Sequence, residues 1–144
     1  MTPQELVNKL KDQNALFAPA ANINTITLAN NSLQNIFAAM LPAFLIDLYK
    51  ITGGINLGNG YIFGPNEISF KSGFFIPSIL QVNEDISTIQ GMRGNTVFGR
   101  NDLFWFSCDS FGVCTMRNNL NLKPLKTYTN PQQAIIDCLI AGKF

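Results

Sequence analysis

Apolar residues recur along this chain with two different periods, one helical and one strand-like. Leu6, Val7 and Leu10 form a short helical stripe behind Thr2, Pro3 and Glu5. Thr2 suits an N-cap, Pro3 the first helical position, and Glu5 the carboxylate of a capping box. The same grammar returns near the other end. Asn130, Pro131 and Gln133 precede Ala134, Ile135, Cys138 and Leu139 on one face, and Gly142 follows as a stop. Ser32 to Met40 predicts a helix. Pro42 opens the next, with Phe44, Leu45, Leu48 and Tyr49 on its buried side and Gly53-Gly54 ending it. Pro77 opens another through Gln90, carrying Ile79, Leu80, Val82 and Ile86 and closed by Gly91 and Gly94. Between Asn14 and Asn31 the period fades among Ala, Asn and Thr. This stretch reads as a loop with an extended piece at Ile23 to Leu28.

The strand pattern occupies the second half. Tyr61 to Phe63 and Glu67 to Phe70 read as short strands around a Gly64-Pro65-Asn66 turn, and Thr96 to Phe98 as another. Leu103 to Cys108 and Val113 to Arg117 carry the strongest strand pattern. Leu122 to Tyr128 contains Pro124 and so belongs at an edge. The expected fold is α+β: a single domain over residues 1–144, with an antiparallel or mixed sheet flanked by helices at both termini. Residues 1–31 form its helical N-terminal extension and loop. No repeat or linker divides the chain.

Asp109-Ser110-Phe111-Gly112 begins with Asp and ends with Gly, as a type I turn does. A three-residue loop of Ser110, Phe111 and Gly112 sets Cys108 opposite Cys114, Phe106 opposite Met116 and Trp105 opposite Arg117. One face then reads Phe104, Phe106, Cys108, Cys114 and Met116, all apolar. The other reads Trp105, Ser107, Thr115 and Arg117, with a cation–π contact expected between Trp105 and Arg117. A two-residue loop would mix both patterns. The two thiols therefore read as core neighbours in preference to a redox-sensitive bridge or a metal site, for which Cys138 is the only further thiol.

Composition narrows the chemistry. Hydrophobic residues make up 47% of the chain and charged ones 13%, so Asn, Gln, Ser and Thr must carry much of the surface. The net charge of +1 is no footprint for a phosphate backbone, so nucleic acid is not an expected partner. There is no histidine, which removes Ser-His-Asp and Cys-His nucleophiles and His-ligated zinc. Glu84 and Asp85 are neighbours on a helix and point apart, so they read as a solvated face. Arg100 and Asp102 are placed to pair with each other. Asp109 reads as ordering its own turn. Gly53 to Gly60 lacks the strand before, the helix after and the Gly-Lys-Ser/Thr that a phosphate loop needs, so it reads as a helix stop and turn. No charged-then-apolar leader is apparent, and Ile36 to Tyr49, broken by Pro42 and Asp47, is shorter than the ~20 apolar residues of a bilayer span. With an odd number of cysteines as well, the expectation is a cytoplasmic protein with no membrane partner and no cofactor. The remaining irregularity is Phe70 to Pro77, where aromatics surround Ser72-Gly73. They either fold back on the core or stand out as a contact site.

The order of motifs resembles a known family. Leu41-Pro42, Leu48-Tyr49 and Gly53-Gly54 resemble the Leu-Pro, aromatic, Asn-Gly helix of the SUKH superfamily, the Smi/Knr-type proteins. The hairpin from Leu103 to Met116 is similar to that family's strand, Asp-Gly-x-Gly turn and strand. The stretch from Tyr128 to Leu139 is similar to its terminal helix. The likeness spans about residues 34 to 141. It departs from the family at Gly53, where Asn is usual, at Ser110, where the hairpin has Gly, and in lacking the N-terminal Trp. The resemblance implies a non-enzymatic protein-binding module, either a bacterial immunity protein that neutralises a toxin domain or a regulator of cell-wall glucan synthesis. A near-neutral chain is a poor match for a basic nuclease toxin. The alternative is a small-molecule or peptide-binding domain with an aromatic-lined pocket. The residues expected to touch a partner are Phe74, Phe75 and Trp105.

Overall fold

The computed structural model describes residues 1–69 and 75–140. Helix α1 (Pro3–Lys11) starts on the expected capping box: Thr2 Oγ1 accepts from the Glu5 N–H at 3.1 Å and the Glu5 carboxylate accepts from the Thr2 N–H at 3.3 Å. Its Leu6, Val7 and Leu10 are buried. Strand β1 (Leu16–Phe17) and helix α2 (Ile23–Asn35) follow. Both correct the expected loop over 14–31, and α2 replaces the extended piece at Ile23 to Leu28. Asn22 Oδ1 caps α2 by accepting from the Thr25 N–H at 2.8 Å, and Ile26, Ala29 and Leu33 are buried along one side. Asn and Thr are poor helix formers and hide this stripe. Burial of the apolar side outweighs a propensity cost of about 0.5 kcal/mol per residue.

Helix α2 stops at Asn35, short of the expected Met40, because Phe37 adopts a left-handed φ of 63°. The Phe37 N–H then reaches Gln34 O and the Ala38 N–H reaches Leu33 O, each at 3.0 Å. This is a Schellman ending with Phe where Gly is usual. Helix α3 (Ala43–Tyr49) starts after Pro42 as expected and buries Leu45, Leu48 and Tyr49, while Phe44 stays half-buried. The Tyr49 hydroxyl donates to Phe63 O at 2.6 Å.

Strands β2 (Ile55–Leu57) and β3 (Gly60–Ile62) form a hairpin inside the glycine-rich segment, so that segment is more than a stop and turn. Strands β4 (Ile68–Ser69) and β5 (Phe75–Ile76) pair as a separate ribbon. Helix α4 (Ile79–Ile86) is shorter than expected, since Pro77 precedes the Ser78 cap and the chain turns after Ile86. Then come β6 (Thr96–Arg100), β7 (Phe104–Cys108), β8 (Cys114–Asn118), β9 (Pro124–Tyr128) and α5 (Pro131–Ile140). Asn130 Oδ1 caps α5 through the Gln132 N–H at 3.0 Å. Gln133 does not close a box; its amide donates to Asp137 at 2.8 Å. Gly142 lies outside the described residues.

The main sheet has seven strands in the order β1-β2-β3-β6-β7-β8-β9, and each neighbouring pair is antiparallel. Strand β9, with Pro124, is at an edge as expected. Helix α5 lies across one face. It comes so close that a Cβ on Gly99 would stand 3.0 Å from Cys138 Sγ and 2.8 Å from Tyr61 O, which is why a residue without a side chain sits there. Asn101 joins the same layers: its amide donates to Cys138 O at 3.1 Å while Oδ1 accepts the Leu103 and Phe104 N–H groups, both at 2.9 Å. Asn56, Asn83 and Asn101 are all buried. Part of the polar complement assigned to the surface thus works inside, bonding backbone. The architecture is an α+β fold with an antiparallel sheet flanked by helices.

Candidate functional site

The β7–β8 hairpin has the expected register: Cys108 faces Cys114, Phe106 faces Met116 and Trp105 faces Arg117. Gly112 takes φ 87°, Asp109 exchanges backbone hydrogen bonds with Gly112 and Val113 at 3.1 Å each, and Asp109 Oδ1 accepts from the Phe111 and Val113 N–H groups. Asp109 therefore orders its own turn. The thiols of Cys108, Cys114 and Cys138 are buried and free. Burial pushes Cys114 up to about 12 and raises Cys108 and Cys138 well above the ordinary thiol value, so the thiols stay protonated. Among the described residues no group of three or more His, Cys, Asp and Glu is placed to hold a metal ion.

The cation beside Trp105 is not the expected one. Arg117 is buried and turned away: its Nε donates to Ser107 Oγ at 2.8 Å and an Nη to Leu122 O at 3.0 Å. Burial lowers its pKa. Arg100 takes the place instead, with its guanidinium carbon 5.2 Å from the Trp105 ring centroid. The cause is a β-bulge. The β6–β7 register pairs Val97 with Ser107 but Gly99 with Phe106, so one residue is skipped and Arg100, not Gly99, ends beside Trp105. Arg100 does not pair with Asp102 as expected, because Asp102 Oδ2 accepts from the Asn59 amide at 2.7 Å.

Arg100 is also the β6 partner of Tyr61 on β3. Tyr61, Arg100 and Trp105 therefore stand in one row across three strands, on the face turned away from α5. This row is the floor of an open cleft of about 270 Å³. Phe63, Phe75, Pro77 and Val82 line the rest of it. Close to these lining residues in sequence, Ile76, Ile79 and Asn83 are fully buried. The Asn83 amide donates to Ile79 O and Val97 O, and its Oδ1 accepts the Val97 N–H, each at 2.8 Å. Val97 thus gets both backbone partners from α4, beyond the last pair that β3 supplies to β6.

Phe75 and Trp105, two of the three residues expected to make contact, line this single cleft, and Phe75 keeps 48% of its surface exposed. Phe74 lies outside the described residues. Sequence reading missed Tyr61 and Val82 as lining residues and gave Arg100 the wrong neighbour. Glu84 and Asp85 are exposed, in keeping with a solvated face.

Other apolar surface gathers around the hairpin loop. Phe111 is 91% exposed and borders a groove of about 580 Å³ with Pro42, Phe44 and Val113, and among the described residues no charged side chain lines it. Beside it Phe37 is exposed under the guanidinium of Arg93, 4.3 Å from the ring centroid. No helix among the described residues is long and apolar enough to cross a membrane. No protein-family model matches the chain, and no curated protein matches it either.

Proposed function

We propose that this protein is a non-enzymatic protein-binding module and that the Trp105 cleft holds its partner. The observation that carries the reading is convergence. Phe75 and Trp105, thirty residues apart in sequence, meet with Tyr61 and Arg100 around one opening. Aromatics and arginine are the side chains that dominate binding energy at protein interfaces, and here Phe75 is exposed while Tyr61 and Trp105 are half-buried. The size of the cleft, about 270 Å³, is just under the roughly 300–1,000 Å³ of pockets that enclose drug-sized molecules. It suits one inserted side chain better than a whole ligand. The aromatic lining keeps a small planar molecule as the second reading.

The groups with displaced pKa values support a binder over an enzyme. Cys108, Cys114, Cys138, Tyr49, Tyr128 and Arg117 are shifted by burial, and none of them lines the cleft. The resemblance of the Leu41-Pro42 helix, the hairpin and the terminal helix to Smi/Knr-type proteins supports an immunity protein or a regulator. Its partner would then be a protein, and for an immunity protein a toxin domain.

The test is a quantitative pull-down from the producing cells with wild type, Trp105→Ala and Phe75→Ala. One stoichiometric partner should be retained by wild type and weakened by about 1–2 kcal/mol in each variant, with thermal midpoints close to wild type. Retention of the same partner by both variants would move the site elsewhere. For the immunity branch, co-expression should restore growth to cells making a toxin encoded next to this protein.

A further inference from the structure

We infer that the Trp105 cleft recognises an acidic residue adjoining an aromatic or long aliphatic one on its protein partner. The apolar side chain enters between Phe75 and Trp105, and the carboxylate meets Arg100. This rests on the cleft being the partner site.

The argument is one of charge complementarity. Among the described residues Arg100 is the one charged side chain lining the cleft. Among the described residues no carboxylate pairs with it. Asp102, two positions on, is engaged by Asn59 at 2.7 Å, and the one salt bridge described joins Lys126 to Asp137 across the molecule's β9–α5 corner. An arginine on a surface usually finds an acid or points into water. Here the β-bulge aims it over an indole at the mouth of an apolar opening. A guanidinium held over an aromatic ring by a cation–π contact keeps N–H donors that match a carboxylate. A basic ligand is repelled, and a neutral apolar one leaves this cation unanswered. A single arginine on a chain of net charge +1 is too little for a phosphate backbone.

Trp105 is the only tryptophan in the chain, so its fluorescence reports occupancy of the cleft directly. The experiment selects a displayed random peptide library on the full chain as wild type, Trp105→Ala, Arg100→Gln and Arg100→Lys. Selected peptides are then synthesised with a fluorescent label and titrated by anisotropy against each form, with Trp105 emission as a second readout for Trp-free peptides on the forms that keep Trp105. Wild type should enrich Asp or Glu next to Phe, Tyr, Trp, Leu, Ile or Met. Changing the peptide acid to its amide, or Arg100 to Gln, should each weaken binding about tenfold, and both together no more than either alone. Arg100→Lys should recover part of the loss. Enriched apolar peptides without an acid, or two losses that simply add, would sink the inference and leave the cleft as a binding site. Peptides that bind Trp105→Ala as tightly as wild type, or no enrichment at all, would overturn the cleft reading and the inference with it.

Discussion

Asn83 shows how much one polar side chain holds in this core. It is fully buried between α4 and β6 and satisfies both backbone groups of Val97. Replacing it with Ala leaves a buried N–H and C=O without partners, at about 1–3 kcal/mol per group. We expect Asn83→Ala to lose roughly 2–4 kcal/mol in urea denaturation, read as a lower midpoint at unchanged slope. A loss under about 0.5 kcal/mol would mean that water or a local shift replaces the amide. Because Asn83 ties α4, which carries Val82, to β6, which carries Arg100, partner binding should fall with it. Nothing local in the sequence marks this role. Asn83 directly precedes the exposed Glu84 and Asp85, and only the fold shows that it points inward. Arg100 is the same kind of case. Its neighbour across the sheet depends on a bulge two residues away, and period-2 alternation carries no sign of a skipped residue.

Elements were legible where local chemistry and burial agree. Thr2 with Glu5 and the Asp109 turn are each closed by bonds within a few residues, so the sequence states them almost completely. The hairpin register followed because only one loop length keeps the apolar face unmixed. Helix α2 was illegible because its residues favour other conformations and its packing partners are distant. Its ending makes a sharper point. Phe37 occupies a left-handed position that costs a non-glycine residue about 1–2 kcal/mol, and its contact with Arg93 returns only about 0.5–1 kcal/mol at an exposed site. Phe37→Gly should therefore stabilise the folded state by roughly 0.5–1 kcal/mol, visible as a higher urea midpoint. A destabilised variant would show that Phe37 packs for more than its exposure suggests. A strained, exposed aromatic is also the pattern seen where backbone strain serves contact, so the same variant belongs in the pull-down.

At the scale of the whole molecule, the sheet and the helix across it enclose three thiols and two phenols, and this sets a limit at high pH. Each thiol has an ordinary value of 9.0, and burial holds Cys114 near 12 and Cys108 and Cys138 above their ordinary value as well. Burial likewise raises Tyr49 and Tyr128 from 10.0, with Asp137 adding to the shift at Tyr128. Below pH 9 the thiols are protonated whether the chain is folded or not, so their contribution is fully present. Above pH 9 the unfolded chain releases protons that the folded chain keeps, and each step in pH favours unfolding. With three thiols out of balance the slope is roughly 4 kcal/mol per pH unit, against a total stability of about 5–15 kcal/mol for an ordinary domain. The protein should thus be level in stability from neutral pH to about 9 and unfold cooperatively between about pH 10 and 12. Circular dichroism at fixed temperature across that range measures it, and a disulfide-exchange reagent gives the independent check. At pH 8 the native thiols should react slowly, and all three should react at once in denaturant. Cys114→Ala should lower stability at neutral pH through the lost packing yet make the alkaline fall shallower, because one proton fewer is released. A fold that survives unchanged to pH 12, or native thiols as reactive as free cysteine, would show that water reaches the interior of the hairpin and that the thiols are not sealed between the sheet and α5.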